Sequence, residues 1–138
     1  MITPPDLELW ATGWLRKKLA TAGIAATVTN KAPSTLSTPL EKPLIIIRDD
    51  SGPRSQLTFT RSLGVSILGG TRQDDHPTKT LARTIFATMT DHETVALAAG
   101  SPVVAVGYEG CNGPYLVEDN HDVTRVYFTV EYVVVGSW

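Results

Sequence analysis

The chain has 138 residues, 42% of them hydrophobic and 19% charged, and twelve basic side chains against fourteen acidic ones leave a formal net charge of −2. That length fits one domain able to bury a core unaided by disulfide or metal, and the hydrophobic share excludes a disordered chain. The near balance of charge excludes a protein whose affinity comes from neutralising phosphates. The single cysteine, Cys111, excludes an internal disulfide and a Cys-based zinc cage.

In chain order, residues Asp6 to about Ala22 read as a helix. Pro4 and Pro5 suit its entry, Asp6 its cap and Gly23 its stop. Leu7, Trp10, Ala11, Trp14, Leu15 and Leu19 share one half of a 3.6-residue wheel, with Lys18 in the middle of that half. Ile24–Thr29 is a short strand, and Asn30–Pro43, with three prolines and several Ser and Thr, is a long loop. Leu44–Arg48 is a strand whose three consecutive Ile imply cover on both faces, followed by a turn at Asp49–Gly52.

Gln56–Leu68 alternates with period 2. Leu57, Phe59, Leu63, Val65 and Ile67 form the apolar face, interrupted by Arg61, and Thr58, Thr60, Ser62, Gly64 and Ser66 form the other. Gly69–Gln73 leads into a second helix, opened by Asp74, Asp75, His76 and Pro77 and running to about Thr90. Val95–Ser101 carries no clear pattern. Val103–Tyr108 and Tyr115–Glu118 are strands around a loop at Glu109–Gly113, and a turn at Asp119–Asp122 leads to a final long strand, Val123–Gly136. The expected plan is a single α+β domain over residues 1–138: a mostly antiparallel, mixed sheet packed by two helices on one face, in the order α-β-β-β-α-β-β-β, with strands pairing mostly as sequence neighbours.

Few residues carry chemistry. Asp74, Asp75 and His76 are consecutive, so their side chains diverge, and a helix start explains the two carboxylates better than a metal site does. Asp119, Asn120, His121 and Asp122 are turn residues between strands. Cys111, between two glycines, has no His placed beside it to act as base and is expected to be an exposed, freely reactive loop thiol. Gly69-Gly70 lacks the rest of a dinucleotide or P-loop pattern. No catalytic, cofactor-binding or metal-ligating residue is therefore assigned, and no enzyme activity or cofactor is expected. No membrane or sequence-specific nucleic-acid partner is expected either. No apolar run approaches the roughly 20 residues of a bilayer span, and the start of the chain lacks the order of a secretory signal.

The hydroxyl-rich, weakly charged sheet face reads either as a solvated face or as an assembly surface, whose composition it resembles. The segment DLELWATGWLRKKLATAGI, residues 6–24, resembles the N-terminal helix of the tail terminator (tail completion, or minor tail) proteins of long-tailed bacteriophages. AATVTN, PLIIIRDDSG, LTFTRSLGVSILGG, HPTKTLARTIFATM and TRVYFTVEYVVVGS continue that order of elements. The loop 30–43 is longer and richer in Ser and Thr than the family pattern, and the segment before the second helix lacks an aromatic often found there.

The resemblance implies a structural protein of the virion, assembled in the bacterial host cytoplasm. It would form a homohexameric ring on the head-proximal end of the tail tube, stop tube polymerisation and meet the head connector. Its partners would be itself, the tail-tube protein and the neck proteins. In such a ring each subunit uses two different patches. One is expected on the sheet face near Thr58, Thr60, Arg61 and Glu131. The other is expected on loops, at Arg48, Asp49, Asp50 and Arg54 and at Arg72, Asp74 and Asp75. The alternatives are another neck component, such as a head-closure or connector-joining protein, a small metal-dependent hydrolase using Asp74, Asp75 and His76, and a ligand-binding domain.

Overall fold

Asp6 caps the first helix of the computed structural model, which describes residues 1–137: its carboxylate accepts the Leu9 amide at 3.0 Å. This helix, α1 (Leu7–Thr21), buries Leu7, Ala11, Leu15 and Leu19, one side chain per turn. Lys18 stays exposed. Gly23, with φ +72°, supplies the left-handed residue that stops the helix. The Ile24 amide bonds to the Leu19 carbonyl and the Gly23 amide to that of Ala20, satisfying carbonyls that have no helical partner. This stop uses Ile24, so the first strand begins three residues later than its sequence suggests.

The chain is α+β, with three helices and a six-stranded mixed sheet. The strands are β1 (Thr27–Thr29), β2 (Leu44–Asp49), β3 (Thr58–Gly69), β4 (Val103–Val106), β5 (Asn112–Val117) and β6 (Thr124–Val135). Their spatial order is β1-β2-β3-β6-β4, with β5 also paired to β6, and only the β1–β2 pair is parallel. β3 and β6 form a twelve-residue ladder from Gly69 opposite Thr124 to Thr58 opposite Val135. This long-range pair replaces the neighbour pairing expected for the middle of the chain. On its other edge β6 meets β5 along Arg125–Thr129 and β4 along Tyr132–Val134, with a 3-10 turn at Tyr108–Gly110 between the two.

Helices α2 (His76–Thr90) and α3 (His92–Ala96) pack with α1 in one apolar core. That core takes Phe59, Leu63, Val65 and Ile67 from β3 and Val126, Phe128, Val130, Tyr132 and Val134 from β6. The second cluster lies on the opposite sheet face. There Leu36 and Leu40, from the loop between β1 and β2, cover Leu44, Ile46, Leu68 and Val123. The long loop is thus a strap over one end of the outer face, which explains why both faces of β2 are buried.

The structure corrects four further expectations. There are three helices, not two: α3 occupies part of the unassigned stretch, capped by Asp91, whose carboxylate accepts the Thr94 amide at 3.0 Å. Leu57 is exposed outside the ladder, because residues 50–55 fold back along β3 through bonds such as Thr60 N–H to Pro53 O at 2.9 Å. Asp75 holds the N-cap position of α2 but makes no capping bond; its carboxylate pairs with Lys79 at 2.9 Å one turn on. Cys111 is half-buried rather than exposed, its Sγ 3.4 Å from the Gly107 carbonyl and 3.5 Å from the Glu131 amide nitrogen.

Candidate functional site

Strand alternation sends Ser62, Gly64 and Ser66 of β3 and Tyr127, Thr129 and Glu131 of β6 to the outer sheet face, beside the end covered by the strap. Gly64 is the low point of this surface. A Cβ there would strike the Tyr127 hydroxyl and lie 2.9 Å from Oδ2 of Asp50, so phenol and carboxylate meet over bare backbone. Burial, and then the charge of Asp50, push the Tyr127 phenol above its usual pKa. Tyr115 of β5 packs edge-to-face on Tyr127 at 5.8 Å, extending the row toward the sheet edge.

Glu131 occupies the same face. Its side chain lies against Gly107 and Gly110 of the 3-10 turn, and a Cβ at Gly110 would come within 2.7 Å of its own Cβ. Only residues without side chains leave room for it. Among the described residues Glu131 has no ion-pair partner, so an unpaired carboxylate stands on the central strand opposite Ser62.

The expected patches separate in space. Thr58 and Thr60 share the outer face with Glu131, but Arg61 projects to the helix side of β3. There its guanidinium carbon and that of Arg54 lie 5.5 and 4.9 Å from the ring centre of Phe59, and Arg61 also donates to the Gly52 carbonyl at 3.0 Å. Arg48 is exposed at the end of β2, opposite Gly64, with Asp50 on the same rim. Asp49 turns inward and accepts the Ser51 amide at 2.7 Å. Toward α1, burial and then the negative charges of Asp49 and Asp6 push the Glu8 carboxyl up.

Arg72, Asp74 and Asp75 lie at the other end of the sheet. The Arg72 amide donates to Asp122 at 3.1 Å, and its guanidinium to the Asp119 carbonyl at 2.6 Å. The Asp74 amide donates to Thr71 Oγ1 at 3.1 Å. Lys79 beside Asp75 holds that carboxyl below its usual range. The β5–β6 turn is pinned by Asp119. Its carboxylate accepts the His121 amide at 2.9 Å, the His121 ring at 2.7 Å and Arg125 at 3.0 Å, and these bonds hold its pKa down to about 2. Arg72, Asp75 and this hairpin enclose a cleft of about 580 Å³. Both arginines facing it are already spent on Asp119.

Side chains that the sequence did not single out are Tyr115, Leu116 and Val117, all exposed on β5. A Tyr-Leu-Val run reads as core, and only the sheet order reveals it as an edge. Among the described residues no three His, Cys, Asp or Glu side chains converge on a point that would hold a metal ion, and no helix is long and apolar enough to cross a membrane. No protein-family model matches the chain, and no curated protein matches it.

Proposed function

We propose that this chain is a structural protein of a long-tailed bacteriophage, resembling the tail terminators. In this reading copies of it close into a hexameric ring on the head-proximal end of the tail tube, stop tube growth and present a joint to the head connector. The resemblance of residues 6–137 to that family supplies the role. The observation that supports it is the open half of the outer sheet face, where Ser62, Gly64, Tyr127, Thr129 and Glu131 make a surface with few charges, whereas a free sheet face is kept soluble by Lys and Glu. In a ring, this face, with Arg48 and Asp50 at its margin, and the loop end bearing Arg72, Asp74 and Asp75 serve as the two unlike patches that a head-to-tail contact requires. Charges at the rim fix register more than they add affinity.

The test is electron microscopy of the purified protein, alone at high concentration and mixed with tail tubes that end in free subunits. Rings, or caps on one tube end, are the expected result. Monomers that ignore tube ends in both conditions overturn the reading, and binding to the head connector alone favours a head-closure role instead.

A further inference from the structure

The two edges of the sheet are treated differently. At one edge, β1 is three residues long, and Arg16 of α1 donates to the Val28 carbonyl at 2.7 Å, which blocks its free side. At the other edge, β5 bonds to β6 along one side only. Tyr115, Leu116 and Val117 are 51, 53 and 38% exposed there, with no Lys or Arg among them to deter pairing. Two opposite charges flank this strand. Arg83 of α2 lines a groove of about 190 Å³ with Pro114 and Leu116, and its one side-chain bond is to Thr80 at 3.3 Å. Glu118, just past the other end of β5, is exposed and has no ion-pair partner among the described residues. Four residues of strand, roughly 13 Å, separate Pro114 from Glu118, too far for these charges to meet within one chain.

We infer that β5 pairs antiparallel with β5 of a second copy of this chain, about a two-fold axis at Leu116. That register sets Leu116 opposite Leu116 of the second copy, Tyr115 opposite Val117, and Pro114 opposite Glu118. The carboxylate of Glu118 from each copy then reaches the groove where Arg83 of the other lacks a partner, twice by symmetry. Two aromatic–β-branched pairs form on the outer face, the kind of cross-strand contact that stabilises sheets. Moving the two-fold axis by one residue, a two-residue slip between the strands, loses this match: it sets Glu118 against Asn112, or against the apolar Leu116. The contact shares only Tyr115 with the open face and uses none of Arg48, Asp50, Arg72, Asp74 and Asp75, so its test is separate from that of ring formation.

The test combines charge reversal with cross-linking, read by sedimentation velocity over a concentration series. The wild-type chain is expected to show a monomer–dimer equilibrium. Glu118→Arg and Arg83→Glu each weaken it by about tenfold or more, and the double variant restores it, which a folding defect would not do. In a Cys111→Ser background, Leu116→Cys is expected to oxidise to a covalent dimer, since facing Cα atoms about 4.5–5.5 Å apart suit a disulfide. Val117→Cys, opposite Tyr115, is not. A chain that remains monomeric to millimolar concentration, a dimer indifferent to both reversals, or cross-linking at 117 in place of 116 overturns the proposal. So does a hexamer that forms with no effect of these changes, a result that leaves the ring reading intact.

Discussion

The Tyr132 phenol donates to the main-chain carbonyl of Met89 at 2.6 Å, joining the centre of β6 to the last turn of α2. Both residues are fully buried. The Met89 carbonyl is one of the groups a helix end leaves without a helical partner, so the bond supplies what the helix cannot. Burial pushes the phenol far above its usual pKa and keeps it a donor. Tyr132→Phe is expected to keep the packing, strand the carbonyl, and cost about 1–3 kcal/mol in urea unfolding. A loss well under that range would mean water or another donor takes over.

Gly64 predicts a coupled pair. Gly64→Ala forces a methyl against the Tyr127 hydroxyl and the Asp50 carboxylate, a strain of about 1–3 kcal/mol. In a Tyr127→Phe background the hydroxyl is gone, and the same change is expected to cost less. A double-mutant cycle by thermal melting checks this, and strict additivity would show that the two side chains do not share the space.

Asp119 predicts a pH dependence. Its folded pKa, about 2, lies below the ordinary carboxylate value of 3.8, so the native state binds the proton less readily than the unfolded chain. The stabilisation is complete above the unfolded pKa and disappears as pH falls through about 2. Asp119→Asn is therefore expected to be less stable than wild type at pH 7, by roughly 1 kcal/mol after screening of its exposed partners. The gap should close toward pH 2. A gap independent of pH would point to lost packing rather than lost charge.

Cys111 predicts restrained reactivity. Burial pushes its thiol above the usual range, and Sγ is engaged by both Gly107 and Glu131. Only the thiolate attacks a disulfide reagent. At pH 8 the folded protein is expected to react more slowly than the urea-unfolded chain, and equal rates would show that the turn opens freely.

Much of the architecture was legible because apolar periodicity reports burial directly. Leu7, Ala11, Leu15 and Leu19 announced α1, and the alternation from Phe59 to Ile67 announced β3. What stayed hidden depends on partners. Alternation shows that β3 and β6 are strands but not that they pair with each other. The five-residue α3 buries only Val95, too little for a pattern. Asp75 looked like a cap because sequence places it at the helix start, and Lys79 took its carboxylate instead. On the candidate surface, alternation alone puts Thr58 and Thr60 on one face of β3 and Tyr127, Thr129 and Glu131 on one face of β6, whereas Tyr115 joined them only once the sheet order was known.

The position of β6 between β3 and the β4–β5 edge has a kinetic consequence. Its ladder with β3 spans pairs from Gly69–Thr124 to Thr58–Val135, and β6 follows every other strand in sequence. The inner core therefore has no central wall until residues 124–135 arrive, and the chain must close its longest loops before those contacts offset the entropy lost. Slow folding is the expected result, dominated by one late step. Until that step β3 presents an unpaired backbone edge beside an uncovered apolar face, so the nascent chain depends on the end of β6 emerging before a second chain finds that edge.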